Sequence, residues 1–249
     1  MTGLLEVAGL KVQFPAREGP ITVIDEVSFS IGKGDTLAIL GESGAGKSVL
    51  AQALIGLLPP PGEITAGEII YGGRKISALG DTEFRHLRGR YIGFLFQNPG
   101  ATFNPLQTVG RQIADVSRLH LGLSRRSADT AALDLLSAVE FEEPDCIFEA
   151  FPHELSGGMQ QRAALAVALA GKPRLLIADE PTAALDAPLR EDILKLFTRL
   201  QNEMELAIIV ITHDLRVASR LADRVLLFYA GRIVEDAPTS AFFRRPRRP

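Results

Sequence analysis

Gly41-Glu42-Ser43-Gly44-Ala45-Gly46-Lys47-Ser48 fits the pattern G-x-x-x-x-G-K-[ST]. Glycines at this spacing let a backbone curl until successive N–H groups converge on phosphate oxygens. A helix beginning at Lys47 adds its partial positive charge to the same place. Lys47 then reaches the β- and γ-phosphates of a nucleotide, and the Ser48 hydroxyl suits Mg²⁺. The plain alternative is a glycine-rich turn with an incidental lysine. Context argues against it, because an apolar run precedes the motif and an amphipathic pattern follows. A second chemical feature is Leu175-Leu176-Ile177-Ala178-Asp179-Glu180, an apolar run that ends in two carboxylates. As a buried strand it delivers both to the carboxyl edge of a sheet, where a phosphate loop also lies. Asp179 suits Mg²⁺, directly or through water, and Glu180 is then left to orient or deprotonate an attacking water. The third is Leu155-Ser156-Gly157-Gly158-Met159-Gln160-Gln161-Arg162. Ser156 is a good N-cap, but two glycines in a first turn each cost about 1 kcal/mol relative to alanine. Open backbone N–H groups at a helix start make sense where an anion docks. One phosphate loop is already present, so this second anion site points to a nucleotide on another subunit.

The elements that must carry these residues follow from periodicity. Leu4–Phe14 and Thr22–Ile31 alternate apolar and polar residues as strands, with Gly19-Pro20 between them. Thr36–Leu40 reads as a fully buried strand. Lys47–Leu58 reads as a helix with Val49, Leu50, Ala53, Leu54 and Leu57 on one face, stopped by Pro59-Pro60-Pro61-Gly62. Glu68–Tyr71 and Tyr91–Phe96 are further strands. After Gln97 the texture turns helical, over Thr108–Gly122, Arg125–Val139 and Gly157–Ala170. Strands and helices then alternate through Leu175–Ala178, Leu189–Met204, Leu206–Ile211, Leu215–Leu221 and Val225–Ala230, which implies a largely parallel sheet covered by helices. Arg244, Arg245, Arg247 and Arg248 form a basic, proline-broken tail read as a solvated end.

Composition narrows the function classes. The 249 residues are 46% hydrophobic and 23% charged, with 27 basic against 30 acidic side chains. This is a globular balance and not that of a surface built to coat nucleic acid. One cysteine, Cys146, excludes an internal disulfide and cysteine-ligated zinc or iron–sulfur sites. The longest apolar stretches fall well short of the roughly 20 residues of a bilayer helix. Met1–Val12 lacks the charged start and apolar run of a secretory signal. The chain therefore reads as cytosolic, and any membrane role as arising through a partner.

LSGGMQQR followed by LLIADEPTAALD, together with the phosphate loop, Gln97 and Thr212-His213-Asp214, resembles the ATP-binding cassette of ABC transporters over essentially the whole chain. The resemblance implies an α/β fold: a P-loop ATPase core with a mixed, largely parallel sheet, an N-terminal antiparallel β part and a helical insert. Residues 1–249 then form a single nucleotide-binding domain, with 1–97 and 174–249 as the ATPase core and 98–173 as the helical signature subdomain. ATP and Mg²⁺ are the implied ligands, in head-to-tail dimers that sandwich two ATPs. Ser156, Gly157 and Gly158 would contact the partner's γ-phosphate. Gln97 would sense Mg²⁺ and the attacking water, His213 would contact the γ-phosphate as a switch, and Asp186 would couple the two sites. Phe14 would stack on adenine, although it also fits an ordinary strand pattern.

Phe96-Gln97-Asn98-Pro99 through Phe103-Asn104-Pro105-Leu106, and Gly231-Arg232-Ile233-Val234-Glu235, are similar to the peptide/nickel importer branch. That branch implies two permease subunits, a second ATP-binding subunit that is identical or different, and an extracytoplasmic solute-binding protein. It places the chain on the cytoplasmic face of the membrane, attached through the permeases. Asn98, Pro99, Phe103, Asn104 and Pro105 would form the surface facing a permease. Longer dipeptide and oligopeptide members carry a cysteine-rich extension, so no iron–sulfur cluster is expected here, and the length is closer to the nickel-type subunit. The alternative function is a soluble accessory ATPase of an enzyme complex such as carbon–phosphorus lyase. A simple nucleotide kinase leaves LSGGMQQR unexplained.

Overall fold

A computed structural model describes residues 3–183 and 185–244. Ala184 and the tail residues Arg245, Arg247 and Arg248 lie outside the described residues. The chain runs through β1 (Leu5–Phe14), β2 (Ile21–Ile31), β3 (Thr36–Leu40), α1 (Lys47–Leu54), β4 (Glu63–Tyr71), β5 (Arg74–Lys75) and α2 (Asp81–Leu87). It continues through β6 (Ile92–Leu95), α3 (Val109–Leu121), α4 (Arg125–Ala138), α5 (Pro144–Glu149), α6 (Gly157–Leu169), β7 (Leu175–Asp179) and α7 (Ala187–Met204). The last elements are β8 (Ala207–Thr212), α8 (Leu215–Leu221), β9 (Arg224–Tyr229), β10 (Arg232–Pro238) and α9 (Thr239–Arg244). Internal contacts divide the chain into two units, one of residues up to Arg85 together with those from Ala207 onward, the other His86–Leu206.

In the first unit β2, β1, β4 and β5 form an antiparallel sheet. Gly9 and Gly67 take positive φ where the register of β1 against β4 slips, and their backbones approach so closely that no side chain fits at Gly67. Beside it β10, β9, β3 and β8 run as a mixed sheet, with β3 parallel to both β8 and β9 and β10 antiparallel to β9. β3 and β8 are buried at every position, as their unbroken apolar runs require. Ala38, Leu40 and Val225 pack against Ala218 and Ala222 of the α8 segment and Phe242 of α9. The expected helix Lys47–Leu58 is shorter. Gly56 turns left-handed at φ +62, its N–H bonds to Ala53 O at 3.2 Å, and Leu57 N–H reaches back to Gln52 O at 2.8 Å. This paired C-terminal cap closes the helix before the prolines are reached.

In the second unit β6 and β7 pair in parallel, Ile92 with Leu175 through Leu95 with Ala178. Helices α3, α4 and α6 pack through Ile113, Ala114, Ala128, Ala132, Leu136 and the alanines of α6. α6 buries residues around most of its circumference, which explains its weak amphipathic pattern. The Ser117 hydroxyl, fully buried, donates to Ala170 O at 3.0 Å and so is satisfied inside this helical layer. α3 ends where Gly122 takes the left-handed conformation, as its position after the last periodic residue predicts.

Candidate functional site

The phosphate loop is built from the end of β3. Gly41 lies against the Phe228 carbonyl with no room for a side chain, and Gly44 and Gly46 take φ +82 and +103. α1 then begins with no side-chain cap at Gly46. The first-turn N–H groups of a helix have no intrahelical acceptor. Lys47, only 6% exposed, folds its chain under the loop, and Nζ donates to Gly41 O at 2.7 Å and Glu42 O at 2.8 Å. A fixed ammonium beneath a curled glycine backbone is the arrangement that an anion site requires. Ser48, one residue on, is exposed.

Within the same unit, Leu40 of β3 pairs with Thr212 of β8, so Gly41 and His213 leave the sheet at the same level. The flanking residues of Thr-His-Asp are occupied with the turn. Asp214 N–H donates to the Thr212 hydroxyl at 3.0 Å, and the Asp214 carboxylate caps α8 by accepting from Arg216 N at 2.8 Å. His213 between them is exposed. Phe14 closes β1, partly buried, with its ring packed on Gly62, where a Cβ would lie 2.6 Å from ring carbon Cζ.

The second unit sets its polar residues by the β6–β7 register. Leu95 pairs with Ala178, so Gln97 and the Asp179-Glu180 pair emerge from the same ends of two parallel strands. Asp179 is 7% exposed, whereas Gln97 is exposed. Glu180 sits at φ +48, a left-handed conformation that a residue with a side chain adopts at some cost, and Ala183 N–H closes a turn onto its carbonyl at 3.2 Å. Such strain where a carboxylate must be aimed is common at functional sites. Further along, the Asp186 carboxylate caps α7 by accepting from Leu189 N at 3.0 Å.

The start of α6 is looser. Ser156 is the N-cap, with its hydroxyl accepting from Met159 N at a long 3.4 Å. A side chain added at Gly157 would meet nothing within 4 Å, and one at Gly158 would graze Leu189 at 3.2 Å. Gln160 ties the helix down, donating to Pro152 O at 2.9 Å and Leu155 O at 3.2 Å.

The expected permease-facing residues divide. Pro99 and Phe103 turn inward and are buried, so they shape the loop and do not face outward. The Asn104 carboxamide oxygen accepts from Leu106 N at 3.0 Å, and Gln112 brackets the loop through Asn104 and Gln107. This Asx turn leaves Leu106, 85% exposed, as the apolar tip. Sequence reading quoted Leu106 but did not single it out; a leucine directly after Asn-Pro was the available signal.

Among the described residues no group of three or more His, Cys, Asp or Glu side chains is placed to hold a metal ion. Mg²⁺ needs none, since one or two protein oxygens with phosphate and water suffice. A hydroxyl (Ser48), a buried carboxylate (Asp179) and a carboxamide (Gln97) are the oxygen donors that this ion prefers. No helix among the described residues is long and apolar enough to cross a membrane.

The ABC transporter family matches residues 24–183. The oligopeptide transport ATP-binding protein OppD of Bacillus subtilis is 45% identical over 100% of this chain, which spans 70% of that relative. The dipeptide transport ATP-binding protein DppD of Escherichia coli is 38% identical, over 99% of this chain and 75% of that protein. Among solved structures, the dimeric post-hydrolysis state of the ATP-binding cassette MJ0796 bound to ADP and Pi superposes with a TM-score of 0.84 at 30% identity, covering 94% of this chain and 98% of that one. CbiO1 from Clostridium perfringens, part of the ABC transporter complex cbiONQ, gives 0.82 at 26% identity, covering 99% and 97%. The chain belongs to the ABC transporter family, as one of its ATP-binding and ATP-hydrolysing cassettes.

Proposed function

We propose that this cassette powers the import of peptides through partner permeases, a reading supported by its similarity to oligopeptide and dipeptide transport ATP-binding proteins. Gly41–Ser48 hold the triphosphate of ATP, with Lys47 neutralising the β- and γ-phosphates and Phe14 offering a ring face to adenine. Ser48, Asp179 and Gln97 would hold Mg²⁺, which when bound would neutralise charge on the phosphates. Glu180 orients the attacking water and accepts its proton. His213 contacts the γ-phosphate. Ser156, Gly157 and Gly158 face the nucleotide of a second ATP-binding subunit, identical or different, and Asp186 links the two sites. Residues 98–173 act as the signature subdomain, and 1–97 with 174–249 as the ATPase core. The partners are two permease subunits, and indirectly an extracytoplasmic solute-binding protein, with the cassette on the cytoplasmic face. Closure of the dimer on ATP does work only through the differential affinity of ATP for the closed and open states.

The observation that supports this reading most is the register of the strands. Gly41 and His213 end one parallel pair at the same level, and Gln97 and Glu180 end the other. Affinity purification of the tagged chain from gently solubilised membranes tests it. Two permeases and an ATP-binding subunit are the expected companions. A soluble enzyme complex with no membrane protein would overturn the importer reading and favour an accessory ATPase.

A further inference from the structure

The phosphate loop is held from outside as well as by Lys47. The Ala45 carbonyl accepts the Gly231 N–H at 3.0 Å, and the Gly231 carbonyl accepts the Asp25 N–H at 2.9 Å. Gly231 and Ala230 form the two-residue turn between β9 and β10, both at positive φ, +80 and +46. Gly231 lies so close to the Val23 carbonyl that no side chain fits. Gly46 of the loop presses on the same carbonyl, where an added Cβ would sit at 2.9 Å. One short segment of β2, Val23–Asp25, therefore touches both the loop and the hairpin that supports it.

The next residue fastens the hairpin down. Arg232 donates from Nε to Asp25 Oδ2 at 2.9 Å and from Nη2 to the same oxygen, while Lys11 Nζ approaches Asp25 Oδ1 at 3.1 Å. Arg232 first, and Lys11 second, hold the Asp25 carboxyl below its usual range. The carboxylate stays charged at neutral pH and each of its oxygens faces a cation. A loop with glycines at Gly41, Gly44 and Gly46 has much freedom to lose on binding. Fixing Ala45 and Gly46 beforehand removes part of that loss, which raises affinity for whatever the loop binds.

We propose that Gly231, Arg232 and Asp25 are positioning residues for the phosphate loop, bracing Ala45 and Gly46 from the β9–β10 turn and so setting the affinity for the nucleotide's phosphates. The proposal rests on the reading of Gly41–Ser48 as the nucleotide site. None of the three belongs to Gly41–Ser48; each would act through the loop.

The test is competition against a fluorescent ATP analogue on the purified chain, with ATP and with inorganic tripolyphosphate, which reads the loop without adenine. Arg232→Ala should raise the dissociation constants of both competitors by about fivefold, the upper end for a solvent-facing ion pair. Arg232→Lys should stay within about twofold of the parent, and Asp25→Asn should behave like Arg232→Ala. Asp25→Asn keeps the side chain's shape, so it carries the test if Arg232→Ala fails to fold. Parent-like affinity in both Arg232→Ala and Asp25→Asn, or a lysine variant as weak as the alanine variant, would overturn the brace alone. A parent chain that bound neither ATP nor tripolyphosphate would overturn the nucleotide-site reading, and the brace with it.

Discussion

Two helix starts in this molecule carry glycines, yet they are built in opposite ways. At the start of α1 glycine is required by crowding: Gly41 and Gly46 press on neighbouring carbonyls, and Lys47 is buried with two carbonyl acceptors. At the start of α6 glycine leaves space, with nothing within 4 Å of an added Cβ at Gly157 and only a 3.4 Å serine cap. The glycine loop, Lys47 and the carbonyls they meet all lie within one unit. The second start leaves Gly157 open while Gly158 packs near Leu189. Under the proposed function the same local chemistry would serve capture in one place and recognition across an assembly in the other. Nucleotide capture should depend on the first region, and turnover on residues of the second unit.

The sharpest separation of the two comes from Glu180→Gln, which keeps the side chain's size and removes the base. Hydrolysis by the assembled complex should fall by about 10²–10³, or roughly 3–4 kcal/mol, the scale for one preorganised catalytic group. ATP affinity of the isolated chain should be unchanged. A hydrolysis rate equal to the parent's would remove Glu180 from its assigned role.

Lys47→Ala attacks the other side. It deletes a buried charge whose hydrogen bonds are each worth about 1.5–3 kcal/mol. Binding of ATP, followed by titration of the isolated chain, should weaken by roughly 10- to 100-fold. If capture survived at parental affinity while hydrolysis fell, the division of labour between the two regions would be wrong.

Much of this was legible from residue order because the informative signals are local. β3 and α8 have the bounds their patterns imply, and α3, α4 and α6 agree within a residue at each end. The motifs are contiguous runs, so their residues are found without knowing the fold. The missed parts of elements have two physical causes. Short elements carry too few residues for periodicity: α5 spans six, begins at a proline and buries none of them, and α9 is equally short. Gly62 and Gly67 disguised the first half of β4, since glycine there marks a turn and a bulge and not the strand's end. Long-range support was invisible for another reason. The Gly231–Ala45 and Arg232–Asp25 contacts join residues far apart in sequence, and only the pairing of strands brings them together. The loop at Pro99–Phe103 taught the reverse lesson, because its apolar residues were read as a surface and two of them are core.

The smallest effect sharpens the contrast most, because it uses one substitution at both helix starts. Gly157→Ala adds a methyl group to open space in a first turn, at a residue that pays the full backbone-entropy penalty of glycine. It should leave the fold intact and raise stability by up to about 1 kcal/mol, read as the midpoint of denaturant unfolding. ATP affinity of the isolated chain should not change, whereas hydrolysis in the assembled complex should drop if a partner's phosphate needs that space. Gly46→Ala places the same methyl group 2.9 Å from the Val23 carbonyl at φ +103. Strain of about 1–3 kcal/mol should appear there as lost stability, together with weakened ATP binding. The two alanines should therefore move stability in opposite directions. Equal losses at both positions would mean that α6 begins in a crowded site after all, and that its glycines are required by packing instead of by access.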